Sequence, residues 1–235
     1  MFKWLRKLIF RLLIVCILIA GGFVTYGYML YRDTVTEKSI EKRVEEYWKM
    51  SGYLPYNALN PDFVDAVVAV EDKRYFTRTG FDFVAFTRAM ITNARFGTRE
   101  AGSTITQQVA KNLLFDQETE VVQKIAEVFA MYEMESLYSK EDILSLYVNM
   151  NYYGDGYYGV GEASTGYFGI PQKDMSLAQA VMLAGLPQSP SVYQLSSGYN
   201  LAKERQIEVL EAMVRNGYIT EHEKERALME DLGYE

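Results

Sequence analysis

Apolar and polar positions divide this chain into three regimes. The first is a continuous apolar run, LLIVCILIAGGFVTYGYML, uncharged over the 19 residues from Leu12 to Leu30. At about 1.5 Å of rise per helical residue it spans roughly 28 Å, enough to cross a bilayer. The second, residues 33–50, sets Ile40, Val44, Tyr47 and Trp48 at helical spacing among charges. That pattern predicts an amphipathic helix just above the membrane, ended by Ser51-Gly52 and Pro55. From Asn60 onward helix signals dominate and strand-like alternation is weak, so the third regime is predicted to be mainly α. Asn60-Pro61 reads as an N-cap with Pro at the first helical position, and Glu71 and Asp72 close the helix it opens. Capping-box spacing marks further starts at Thr104/Gln107, Ser139/Asp142, Ser176/Gln179 and Thr220/Glu223, and Asn216-Gly217 marks a stop. The Gly- and Tyr-rich stretch 151–169 is the most irregular; it either shapes a groove or turns a corner.

Charge adds an orientation. Lys3, Arg6, Lys7, Arg11 and Arg32 are the only charged residues among the first 32, so 19 of the 24 basic residues and all 31 acidic ones lie beyond, a formal -12 there. A basic cluster ahead of the apolar run predicts a cytoplasmic N-terminus, with Trp4, Tyr26, Tyr28 and Tyr31 at the interfaces. An uncleaved anchor fits better than a signal peptide, because the apolar run continues past Ala20-Gly21-Gly22 without an A-x-A pattern. The expected organisation is a cytoplasmic tip and transmembrane anchor over 1–32, a juxtamembrane helix and linker over 33–52, and an extracytoplasmic domain over 53–235. A net charge of -7 gives nucleic acid no general grip. One Cys and one His exclude an internal disulfide and a closed zinc site.

His222 lies in a polar capping turn, so a Ser-His-Asp triad is not expected and acid–base work falls to carboxylates. The S-x-x-K match at Ser39 to Lys42 has no K-T-G partner and reads as chance. No phosphate-binding loop and no D-x-D pair points to a nucleotide. Two segments carry chemistry instead. EDKRYFTRTGFD, residues 71–82, puts adjacent acids at a helix end, where the dipole and any burial raise carboxylate basicity, although such a pair is also common on solvated surface. AGSTITQQVAKN, residues 101–112, offers a turn at Gly102, caps at Ser103 or Thr104 and free N–H groups to an anion. Gln108 with Asn112 and Gln107 with Lys111 extend a polar stripe along that helix. QKIAEVFAMYEME adds Lys124 and Glu127 on one helical face.

Together with the segments YSKEDILSLYVN and LAGLPQSPSVY, these motifs resemble the peptidoglycan glycosyltransferases of glycosyltransferase family 51, in order and spacing from about Tyr53 to Tyr218. These are the transglycosylase domains of penicillin-binding proteins, and the likeness is to the monofunctional type with one anchor. The resemblance implies a lysozyme-like helical fold of two lobes with a groove opening toward the membrane. It implies polymerisation of lipid II by inverting β-1,4 transfer with release of undecaprenyl pyrophosphate. Glu71 then corresponds to the base acting on the acceptor 4-hydroxyl, and Glu127 to a second carboxylate near the donor pyrophosphate or a bound divalent ion, Mg²⁺ or Mn²⁺. Lys111 and Lys124 match cations facing the leaving group, and Asp72, Gly102, Ser103, Thr104, Gln108 and Asn112 match groove residues. Lipid II, the growing lipid-linked strand, the membrane and separate transpeptidases are the implied partners, with no organic cofactor.

The chain departs from that pattern in places. Tyr75 stands for the usual Phe, Arg78 for the usual His and Ala101 for a Gly, while Thr119 and Gln123 occupy positions where Lys or Arg is common. Donor-site charge is thereby reduced, and Arg78 is a candidate to restore it. The segment 81–96 is apolar on one side and reads equally as membrane-dipping or as a core helix. Two other functions stay open: a tethered muramidase, since two carboxylates also serve glycan hydrolysis, and a non-catalytic paralogue that binds lipid II or synthesis partners.

Overall fold

The computed structural model describes residues 2–82, 87, 103–115 and 121–234, and they are mainly helical. Among them no strand occurs, only an isolated antiparallel bridge between Tyr152 and Tyr158. The expected segment 81–96 and the positions Ala101, Gly102 and Thr119 lie largely or wholly outside the described residues.

Helix α1 (Phe2–Glu37) is the one described helix long and apolar enough to cross a membrane. Every described side chain from Trp4 to Tyr26 is exposed on it. It runs unbroken past Arg32, beyond the expected boundary, and its last turns dock on α5 (Val121–Leu137). The two helices close up at Gly27, where a Cβ would stand 2.6 Å from Ile125 Cγ2. Tyr31 stacks on Phe129 with ring centroids 6.0 Å apart and is 7% exposed, so it packs on protein instead of sitting at an interface. Ser39 then caps α2 (Ile40–Trp48) by accepting the Lys42 N–H, which gives the S-x-x-K match its structural meaning. Ile40 and Val44 of α2 are fully buried.

Beyond the linker, α3 (Pro61–Glu71), α4 (Ile105–Leu114), α6 (Lys140–Met150), α7 (Val160–Phe168), α8 (Leu177–Gly185), a short α9 (Pro190–Tyr193), α10 (Leu195–Arg215) and α11 (Glu221–Met229) follow. All four expected capping boxes form, at α4, α6, α8 and α11. Each satisfies two otherwise unpaired helix-end N–H groups reciprocally. α3 starts at Asn60 with Pro61 behind it, and α10 stops before Gly217 at φ 78°.

Packing sorts these helices into two groups. α3, α8 and α10 pack on one another, with α11 against α8 and α10; α4, α5 and α6 form the second group, carrying α1 on α5 and α2 on α4. This is the two-group helical arrangement expected. Gly185 of α8 lets α10 approach closely: a Cβ there would meet Arg205 Cγ at 2.9 Å. The irregular stretch turns a corner: Asp155, at φ 50°, accepts hydrogen bonds from Ser196 N–H (3.1 Å), the Ser196 hydroxyl and Tyr167 OH (3.1 Å). Those bonds staple it to the start of α10.

Asn60 is a second fixing point. Its Oδ1 accepts the Phe63 N–H at 3.0 Å, and its Nδ2 donates to the Met175 carbonyl at 2.9 Å and the Lys173 carbonyl at 3.2 Å. Asn60→Ala strips the cap and leaves buried carbonyls unpaired, a cost of about 3 kcal/mol. Thermal unfolding followed by circular dichroism should show a melting temperature several degrees lower, with the helical signal of the folded state unchanged.

Candidate active site

Glu71 is the last residue of α3, and its side chain reaches the junction of the two helix groups. It is 10% exposed. From α4, Gln108 Nε2 donates to Glu71 Oε2 at 2.8 Å. From α10, the Arg205 guanidinium stands 3.9 Å from Oε1. Burial pushes the Glu71 carboxyl above its ordinary pKa; the Gln108 bond and the Arg205 charge oppose the rise, and neighbouring Asp72 adds to it. Tyr147 of α6 is also near, since the Glu71 charge contributes, after burial, to raising its phenol.

α5 brings the second carboxylate. Glu127 is fully buried, its Oε2 accepting from Lys124 Nζ at 2.7 Å and its Oε1 from Gln123 Nε2 at 3.4 Å. Lys124 keeps 41% of its side chain exposed, so this cation is held in place yet open to solvent. α4 packs against α5, and Thr104 Oγ1 lies 3.8 Å from Met131 Sδ, one helical turn beyond Glu127. Helix α4 therefore touches Glu71 on one side and the Glu127 helix on the other.

Other expected site residues divide. Thr104 and Gln107 are spent on the capping box and are buried, so Gln107 does not extend the polar stripe. The side chains of Ser103, Lys111 and Asn112 make no hydrogen bond or ion pair among the described residues, and Asn112 is exposed. Asp72 and Arg78 are buried and paired with each other. Arg78 is 7% exposed, donates from Nε and Nη2 to Asp72 Oδ2 at 3.0 and 2.8 Å, and from Nη1 to Glu135 Oε1 at 3.1 Å. Its charge is paired inside the protein with Asp72 and Glu135. The Glu-Asp pair is likewise no solvated surface feature. His222 is exposed on α11.

Arg205 was not among the residues the motifs singled out. A signal exists: Ala202, Arg205, Gln206, Val209, Leu210 and Met213 form one buried helical stripe, in which Arg205 and Gln206 are polar residues at core positions. Gln206 Nε2 donates to the Ala178 carbonyl at 2.7 Å, tying α10 to α8. A cavity of about 880 Å³ beside α7, lined by Tyr47, Tyr53, Tyr157 and Tyr158, is bordered by neither Glu71 nor Glu127. Among the described residues no group of three His, Cys, Asp or Glu could hold a metal ion.

A helical domain with a buried, amide-held carboxylate at the seam of two helix groups, tethered by one long apolar helix, is the class these features define. A family model described as Transglycosylase matches residues 37–214. Penicillin-binding protein 1A of Neisseria flavescens is 42% identical over 172 residues, covering 73% of this chain and 22% of that protein. A provisionally assigned transglycosylase of Cupriavidus necator is 36% identical over 180 residues, covering 77% and 78%. Penicillin-binding protein 1A/1B of Bacillus subtilis is 32% identical over 240 residues, covering 94% and 26%. The crystal structure of penicillin-binding protein 1A from Haemophilus influenzae aligns with a TM-score of 0.45 at 21% identity, covering 76% of this chain and 17% of that one. The chain belongs to the transglycosylase family. It spans roughly a quarter or less of the penicillin-binding proteins it matches.

Two outcomes follow from the environment of Glu71. Arg205→Met removes a charge that lowers the Glu71 pKa, so that pKa rises further, as a carbon-13 carboxyl titration would record. The folded-state pKa already lies above the unfolded value of about 4.3. The stability Glu71 contributes is therefore present below that value and lost as pH rises through the folded pKa. Glu71→Gln, free of this loss, should melt above the parent at neutral pH, with the gap closing on acidification.

Proposed function

We propose that this protein polymerises lipid II into peptidoglycan glycan strands, with Glu71 as general base. The observation that carries the reading is a nine-tenths buried carboxylate whose pKa is raised and whose Oε2 is fixed by Gln108. A carboxylate of raised pKa is a better base at neutral pH, and a positioned one needs no reorganisation. Its motif neighbours and its family supply the substrate class.

The acceptor 4-hydroxyl gives its proton to Glu71 as its oxygen attacks C1 of the donor from the face opposite the pyrophosphate. The C1–O bond breaks, the configuration inverts, and undecaprenyl pyrophosphate leaves with the bonding electrons. Lys124, held by Glu127, and Lys111, on the turn of α4 after Gln108, supply positive charge for the leaving group. For a divalent cation the described residues offer Glu127 as a lone carboxylate, so an ion would draw its other ligands from phosphate oxygens, as Mg²⁺ commonly does, and would add charge there. α1 serves as a membrane anchor with the domain on the extracytoplasmic side. Tethering enzyme and lipid-linked substrates to one surface raises their effective concentration. Separate transpeptidases would cross-link the product.

Detergent-purified full chain incubated with fluorescent lipid II, resolved by product size, tests this directly. The parent should yield polymer; Glu71→Gln should lose about 10²–10⁴-fold in turnover, and Lys124→Met about 10²-fold. Lipid II binding without polymer from the parent would replace this reading with the non-catalytic one, and shortened sacculus strands would replace it with a muramidase.

A further inference from the structure

Arg78 and Tyr75, the two departures in the first motif, meet in one buried cluster. Besides its bonds to Asp72 and Glu135, Arg78 donates from Nη1 to the Gly80 carbonyl at 2.5 Å. Glu135 of α5 accepts in addition from Lys140 Nζ at 2.5 Å, Thr106 Oγ1 at 2.7 Å and Gly80 N–H at 3.0 Å. Tyr75 is fully buried beneath them. Its hydroxyl donates to the Lys140 carbonyl at 2.7 Å, its ring carries Lys140 Nζ 4.8 Å from the centroid, and Arg78 Cζ lies at 5.7 Å. Two acids, Asp72 and Glu135, face two cations, Arg78 and Lys140; the Arg78–Glu135, Gly80–Glu135 and Tyr75–Lys140 bonds cross from the 72–80 loop to α5 or α6, and the Thr106–Glu135 bond ties α4 to the same acid. Arg74, the other charge facing this cluster, is turned to Asp82.

We propose that Arg78 and Tyr75 form a positioning lock whose charge does not vary with physiological pH, holding Asp72, and with it the adjacent Glu71, in register with α4 and α5. The proposal rests on the reading of Glu71 as base. Neither residue touches the reacting atoms; both act through Asp72. Burial alone would raise Glu135, yet the bonds from Lys140 and Thr106 and the charges of Lys140 and Arg78 lower it, so it stays ionised and keeps its grip. A guanidinium is charged at every physiological pH and bonds Asp72 through two nitrogens; lysine lacks that fork at any pH, and histidine carries the charge only when protonated.

The test uses the full chain in detergent and the variants Arg78→His, Arg78→Lys, Tyr75→Phe and Tyr75→Phe/Arg78→His. Turnover of lipid II and melting temperature are read from about pH 5.5 to about pH 8.5, across the ordinary histidine pKa of about 6.5. A histidine facing Asp72 and Glu135 has a raised folded pKa, so its contribution is present at acid pH and lost as pH rises through that value. Relative to the parent, Arg78→His should keep kcat at the acid end and lose about tenfold at the alkaline end with KM unchanged, since misplacement of about 1 Å costs on the order of 10²-fold. Arg78→Lys should show a loss that does not vary with pH, and the double variant should lose less than the sum of its parts, as for groups in one network. A pH-independent ratio for Arg78→His overturns the proposal. So does a loss of kcat that tracks melting temperature equally at all pH values, which marks a merely structural residue. If the parent makes no polymer, the reading of Glu71 falls while the melting profile of Arg78→His still decides the lock.

Discussion

The arrangement depends on one costly placement: a carboxylate taken out of water where two helix groups meet. Glu71 ends α3, its own backbone belongs to one group, and the atom that fixes its side chain, Gln108 Nε2, belongs to the other. Burying such a group without an opposing charge in direct contact raises its pKa. The protein keeps the nearest guanidinium at 3.9 Å, beyond hydrogen-bond reach, and gives the carboxylate a neutral amide instead. A closer cation would lower its basicity; removing Gln108 would leave it unoriented. Stability is given up locally for a buried carboxylate whose pKa is raised.

The rest of the fold holds that seam in place. Gly185 leaves room for the stem of Arg205, and Gln206 ties α10 to α8 beside it. Across the seam, Glu135 gathers donors from the 72–80 loop, α4 and α6, so the loop after Glu71 cannot drift from the helix that carries Glu127. That same helix, α5, receives the end of α1 through Gly27 and the Tyr31–Phe129 stack. The long apolar helix and the Lys124–Glu127 pair are thus parts of one packed unit.

Much of the secondary structure was legible because it is local. Asn60, Thr104, Ser139, Ser176 and Thr220 each satisfy helix-end N–H groups within four residues, so spacing alone located their helices. The apolar run of α1 was equally plain. The docking of its lower end was not, because Gly27 and Tyr31 meet Ile125 and Phe129, nearly a hundred residues away. The candidate carboxylates and Lys124 could be named from motif spacing, and the pairing of Lys124 with Glu127 three residues apart follows from the helix itself.

What the sequence determined by itself is therefore the helical character, the helix starts, the long apolar helix and the family-specific pattern of acids, amides and lysines, all set by interactions within a few residues. The tertiary structure alone decided three things. It assigned Arg78 to the interior with Asp72 and Glu135, it brought Arg205 from α10 beside Glu71, and it made a corner of the Gly- and Tyr-rich stretch. Each depends on which buried charge finds which partner across a large sequence separation. Spacing along a chain carries no information about that choice, because the low-dielectric interior rewards proximity in space, which only packing creates.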